Sequence, residues 1–104
     1  MPKPPELTSA ERKALRGQAM ALQPAVIVGK AGPSPAVTAA VAAALARDGL
    51  VKIRLEAPDR ALRAEWLEQV AAATGAAVCG AVGRTASLFR PRAPESGPRR
   101  ASRG

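Results

Sequence analysis

Two short β-branched runs, AVIVG at 25–29 and LVKIRLE at 50–56, are separated by an alanine-rich segment with helical periodicity. Two such strands joined through one helix pair in parallel by a right-handed crossover, which restricts the chain to an α/β arrangement. In the second run apolar and charged residues alternate strictly, with Val51, Ile53 and Leu55 on one side. This alternation predicts a sheet that packs on one face and meets water on the other.

Three segments with helical periodicity alternate with the strands. Each begins with residues that commonly cap helices: Thr8 with Glu11 at capping-box spacing, Ser34 before Pro35, and Asp59. The final two strands, AAVCGAV and TASLFR, are joined by Gly83-Arg84, a pair typical of a hairpin. The predicted fold is therefore α/β in the order α-β-α-β-α-β-β, a two-layer sandwich with a mixed four-stranded sheet.

The length and the charge of the chain limit what it can bind. Its 104 residues are predicted to hold one domain at 7–91, between a disordered lead-in at 1–6 and a disordered basic tail at 92–104. Sixteen Lys and Arg against eight Asp and Glu give a net charge of +8, which favours a polyanionic partner such as nucleic acid.

No apolar run reaches the ~18 residues needed to span a bilayer, and no segment resembles a signal peptide. We therefore expect a cytoplasmic protein without a membrane partner.

Few side chains are suited to catalysis or to metal binding. The sequence has no histidine, and its single cysteine, Cys79, lies in an apolar run where an inert core thiol is expected. Glu65 and Glu68 lie near Arg60 and Arg63 at spacings typical of solvated ion pairs on a helix surface rather than of an acid–base couple. We therefore expect no catalytic residue, no metal site and no cofactor.

A glycine-rich loop follows the first predicted strand: Gly29, Lys30, Ala31 and Gly32. It is not a Walker loop, because the residue after the lysine is neither Ser nor Thr. Two residues without a Cβ would let a sugar-phosphate backbone approach the main chain, while Lys30 and the helix that Ser34 caps would add positive charge. The alternative is a tight turn with a helix cap. Pro33 and Pro35 favour this alternative, since neither has an N–H to offer an anion. In an RNA site the Ser34 hydroxyl and Lys30 would have to supply the missing donors.

Further basic and aromatic residues would extend such a site. They are Arg12, Lys13 and Arg16 on the first helix, Arg84 in the hairpin, and Phe89 with Arg90 after the last strand. The cations of the helix, the loop and the hairpin are predicted to share one edge of the molecule. The alternative for each is an ordinary helix-surface or loop residue. If Leu88 faces the core, Phe89 points to the open face of the sheet, where an aromatic ring stacks a base, although a core or rim position is equally open.

Three stretches of the chain together resemble a known family. LTSAERKALRGQAMALQPAVIVGKAG, LARDGLVKIRL and TGAAVCGAVGRTASLFRP occur in the order found in the CRM domain (chloroplast RNA splicing and ribosome maturation), in its bacterial single-domain, YhbY-like form. The resemblance runs over 7–91 and implies a fold similar to the C-terminal domain of translation initiation factor three. It also implies RNA binding through the loop at 29–32. The basic first helix of the family falls on Arg12, Lys13 and Arg16, and its Leu-aromatic-Arg-Pro close falls on 88–91. The prolines flanking Ser34, and phenylalanine in place of the usual tyrosine at 89, depart from the family pattern.

The leading hypothesis is a non-catalytic, cytoplasmic RNA-binding protein that acts as a monomer on precursors of the large ribosomal subunit, as the resemblance implies. Contacts to the ribosomal RNA backbone should dominate, because too few aromatic residues are present to read bases. Two alternatives remain open: a chromosome-associated DNA-binding protein, and a protein-interaction adaptor whose positive charge is only compositional.

Overall fold

The computed structural model describes residues 6–91, so the predictions made for 1–5 and 92–104 concern residues outside the described part. Three helices and four strands follow one another along it: α1 (Ser9–Ala19), β1 (Pro24–Val28), α2 (Pro35–Asp48), β2 (Leu50–Leu55), α3 (Arg60–Thr74), β3 (Ala77–Val82) and β4 (Thr85–Phe89). The α/β class and the order α-β-α-β-α-β-β are confirmed. Within residues 6–91 no helix is both long and apolar enough to cross a bilayer.

The helices begin at the residues whose side chains were predicted to cap them. The Thr8 hydroxyl accepts the Glu11 N–H at 3.0 Å while the Glu11 carboxylate accepts the Thr8 N–H at 2.9 Å, which completes the capping box. Ser34 and Asp59 each accept an N–H from three residues further on. α2 ends at Gly49, whose φ of 80° is available to glycine at little cost. Local chemistry therefore sets the boundaries of the helices.

The four strands form one mixed sheet in the order β1-β2-β4-β3. β1 and β2 are parallel, and β4 is antiparallel to both β2 and β3. β3 therefore runs in the same direction as β2 but reaches it only through β4. Val51, Ile53 and Leu55 are buried on one face, which we call the core face, against α2 and α3. The predicted alternation is confirmed, and α2, α3 and the sheet form the two layers of the predicted sandwich.

α1 lies against the other face of the sheet, which we call the outer face. This face carries Lys52 and Arg54, whose cross-strand partners are Ser87 and Thr85. The aliphatic part of the Arg16 side chain lies directly over Gly80, where a Cβ would collide with it. α1 contacts β2, β3 and β4 but is only three turns long, so it leaves part of the outer face exposed to solvent.

Candidate nucleic-acid interface

The glycine loop lies at the carboxyl end of β1, immediately before α2. The Gly32 N–H donates to the Gly29 carbonyl oxygen at 2.9 Å, which closes a β-turn with Lys30 and Ala31 at its two corners. Both corner residues are exposed. The turn therefore presents the Lys30 ammonium group to solvent at the positive dipole end of α2.

The two glycines of the turn have different structural roles. Gly32 is buried and has a φ of 86°, and a Cβ built on it would lie 3.2 Å from Cε2 of Trp66. The turn therefore sits directly on the Trp66 indole, and only glycine fits this position without strain. A Cβ built on Gly29 meets nothing within 4 Å, and its φ is not positive. The fold thus requires Gly32, whereas the main chain at Gly29 is open to contact by a bound molecule.

Replacing each glycine with alanine separates these roles. We expect Gly32→Ala to lower the free energy of unfolding by about 1–2 kcal/mol, from the positive φ and the contact with Trp66. Gly29→Ala should stay within about 0.5 kcal/mol of the parent protein, as ordinary surface substitutions do. Urea denaturation followed by far-UV circular dichroism measures both. Equal losses in the two variants would contradict the assignment of different roles.

The start of α2 offers few backbone donors to an anion. Pro33 and Pro35 have no N–H, and the Val37 N–H is bonded to the Ser34 hydroxyl oxygen at 3.2 Å. Within the described part of the chain no acceptor bonds the Ala36 N–H. The Ser34 oxygen thus accepts from Val37, while its O–H stays available as a donor. The start of α2 therefore adds the Ala36 N–H and the Ser34 hydroxyl to the Lys30 ammonium as donors toward an anion.

Arg84 reaches the loop end of the sheet through a shared carboxylate. The Glu56 N–H donates to the Val28 carbonyl oxygen at 2.9 Å, which places Glu56 beside the start of the loop. Its carboxylate lies 2.6 Å from Nε of Arg54 and 3.8 Å from Nη1 of Arg84. Two cations therefore share one anion, and the cluster keeps a net positive charge. Arg54 and Glu56 are not among the predicted site residues, although the alternation in β2 places Arg54 on the solvent-exposed face.

The basic residues of α1 lie on the outer face and not beside the loop. Arg12, Lys13 and Arg16 are all exposed. Arg12 lies near the buried Cys79: burial raises the pKa of this thiol, and the Arg12 guanidinium partly opposes the rise. Cys79 is thus a neutral core thiol at physiological pH. α1 makes its main contacts with β2, β3 and β4, whereas Arg84 is linked to the end of β1 through Glu56. That the α1 cations, Arg84 and Lys30 share one edge stays a prediction.

Phe89 and Arg90 lie at the end of the sheet away from the loop. Phe89 pairs with Leu50 at the start of β2, about 16 Å along the strand from its loop end. Its ring is half-buried on the outer face. The Arg90 guanidinium donates to the carbonyl oxygens of Thr74 in α3 and Ala42 in α2. The structure thus gives Arg90 a structural role, joining both helices to the end of β4. The RNA contact predicted for it stays a prediction.

The arginines of α3 also differ from expectation. Within residues 6–91 the ion pairs are Arg47–Asp48, Arg54–Glu56 and Arg84–Glu56, so the ion pairs predicted on the surface of α3 are not formed. Arg63 instead donates from Nη1 to the Ala57 carbonyl oxygen at 3.1 Å. The same range holds no cluster of three or more His, Cys, Asp or Glu side chains arranged to bind a metal ion.

Comparison with known proteins places these features in a family and a fold. The model of the CRS1/YhbY (CRM) domain matches residues 7–90. The solution structure of a hypothetical protein from Staphylococcus aureus, described as a candidate RNA-binding protein, superposes with a TM-score of 0.78 at 20% sequence identity. The alignment covers 86% of this chain and 93% of that one. At this identity the likeness concerns the fold alone.

Proposed function

Because the chain belongs to the CRS1/YhbY (CRM) domain family, we propose that it is an RNA-binding protein whose turn at 29–32 contacts the sugar-phosphate backbone. The observation that carries the proposal is the exposed Lys30 corner, held on the Trp66 indole at the start of α2. A GxxG turn of this kind clamps backbone nucleotides in KH modules. The description of the Staphylococcus aureus neighbour as a candidate RNA-binding protein supports the proposal.

Backbone contact is the chemistry that this surface supports best. Phosphate oxygens accept from ammonium and guanidinium groups, and Lys30, Arg84 and the exposed cations of α1 supply several of these. Phe89, the one residue suited to stacking that lies on the outer face, is half-buried and remote from the loop. We therefore propose that the protein binds with little sequence preference, and that binding rather than catalysis is its role.

The RNA that we propose is ribosomal, from precursors of the large subunit, and the proposed site of action is the cytoplasm. This part of the proposal rests on the family to which the chain belongs. A protein that binds backbone with a net charge of +8 has little selectivity of its own, so the shape of the RNA must supply it.

Sucrose-gradient sedimentation of lysate tests the assignment to ribosomal RNA. Co-migration with large-subunit particles that is lost after ribonuclease treatment supports it, whereas free migration favours the protein-interaction adaptor.

Salt dependence is the direct test of backbone binding. In filter-binding titrations, the logarithm of the affinity for single-stranded RNA should fall linearly with the logarithm of the salt concentration, with a slope of about −0.7 for each phosphate neutralised. Affinity that does not change with salt would overturn the electrostatic account. Competition at fixed salt separates the alternatives, because duplex DNA that competes as well as a ribosomal RNA fragment would favour the DNA-binding protein.

A further inference from the structure

An open groove of about 370 Å³ lies between α3 and the β3–β4 hairpin. Leu55, Leu67 and Ala81 contribute an apolar floor, and Arg60 and Arg63 stand at its rim. Its size is in the range of pockets that hold small organic ligands. The combination of a cationic rim and an apolar floor is what one nucleotide requires, since a nucleotide has an anionic phosphate and a flat base with a poorly hydrated face.

The groove and the glycine loop lie on opposite flanks of the same helix. On one flank of α3, Trp66 supports Gly32 of the loop. On the other flank, Ala64 and Leu67 line the groove. The hairpin that forms the far wall is joined to the same end of the sheet, because the Leu55 N–H donates to the Arg84 carbonyl oxygen at 2.7 Å. One strand of RNA therefore has a short path from the loop, past the N-terminus of α3, into the groove.

The two arginines at the rim differ in how they are held. Arg63 is fixed by its hydrogen bond to the Ala57 carbonyl oxygen, which leaves its other guanidinium donors free. Arg60 takes part in none of the ion pairs of residues 6–91. A guanidinium that is oriented but has free donors is well suited to bind a phosphate in bidentate fashion.

We propose that this groove holds one nucleotide of the RNA that the loop contacts, with the base against Leu67 and Ala81 and the phosphate at Arg60 and Arg63. The inference rests on the proposed function and adds to it a second contact point on the far side of α3. It also assigns Arg60 and Arg63 to RNA binding. Their spacing from Glu65 and Glu68 had instead predicted solvated ion pairs on the helix surface.

Filling the groove without changing charge tests the proposal. Ala64 is exposed on the groove side of α3, and Ala73 is exposed about two and a half turns further on, on the opposite side of the same helix and outside the groove. Ala64→Met should reduce affinity for a short single-stranded oligoribonucleotide roughly fivefold, while Ala73→Met should leave it unchanged. Thermal unfolding confirms that both variants are folded. Unchanged affinity in folded Ala64→Met would overturn the proposal.

Removing a rim cation supplies a second readout. Arg60→Ala should make the salt slope shallower by about 0.7, whereas Arg47→Ala, the same change at the other end of the sheet, should leave the slope as it is. If Lys30→Glu loses affinity but the groove variants bind RNA like their controls, the proposal of a nucleotide in the groove is wrong and the proposed function stands. If neither Lys30→Glu nor the groove variants lose affinity, both proposals are wrong.

Discussion

Replacing Lys30 with glutamate is expected to weaken RNA binding by more than tenfold while the domain stays folded. The substitution changes the charge at the exposed corner of the turn by two, so a phosphate is repelled where it was attracted. Lys30 makes none of the ion pairs of residues 6–91, and its side chain is exposed, so the fold does not depend on it. A loss of 1.4 kcal/mol in binding free energy already gives tenfold, and charge reversal beside the positive end of α2 exceeds that.

The control for this variant is Arg47→Glu, which makes the same change of net charge near the C-terminal end of α2. If net charge alone governed binding, the two variants would lose affinity equally. Filter binding at one fixed salt concentration compares them, and circular dichroism verifies that both are folded. Unchanged affinity in folded Lys30→Glu would remove the turn from the binding site and leave Arg84 and the α1 cations as the remaining candidates.

Replacing Arg90 with leucine is expected to lower the free energy of unfolding by about 2–3 kcal/mol. The substitution removes a charged donor from the carbonyl oxygens of Thr74 and Ala42, and Thr74 is buried. Thr74 is the last residue of α3, so Arg90 also places a positive charge at the negative end of that helix. Urea denaturation measures the loss. Arg90→Lys should recover only part of it, because one ammonium group does not reproduce the fork that spans α2 and α3.

RNA binding distinguishes this structural role from the one predicted from sequence. Below the unfolding transition, the salt slope of Arg90→Leu should equal that of the parent protein, because the guanidinium faces carbonyl oxygens rather than phosphate. A slope shallower by about 0.7 in a variant of unchanged stability would restore Arg90 to the RNA-binding site and contradict the structural role.

Features that depend on neighbouring residues were predictable from the sequence. The capping box of Thr8 and Glu11, the caps at Ser34 and Asp59 and the alternation in β2 all rest on contacts within a few positions. These local signals determine where each element begins and which face of β2 is buried. Together they gave the element order, and the crossover rule gave the parallel pairing of β1 with β2.

Features that depend on distant residues were not predictable. The spacing of Gly29 and Gly32 suggested one shared purpose, but a tryptophan 34 positions beyond Gly32 decides that only the second glycine is required by the fold. Arg90 is followed along the sequence by no signal of a structural role, because the carbonyl oxygens that its guanidinium bonds belong to Thr74 and Ala42, which precede it by 16 and 48 positions. The groove has no sequence signal at all, because its walls come from α3 and from a hairpin that follows it along the chain.

The central place of β4 in the sheet determines the order in which the molecule can be assembled. β1, α2 and β2 are contiguous in sequence and make a parallel pair by themselves, but β3 pairs with nothing in the sheet except β4. β4 is also the last of the seven elements within residues 6–91. β3 can therefore join the sheet only through β4, so the two halves become one sheet only once β4 has paired with both β2 and β3. A chain truncated before Thr85 would lose the strand that makes one sheet out of two parts, and with it the hairpin wall of the groove.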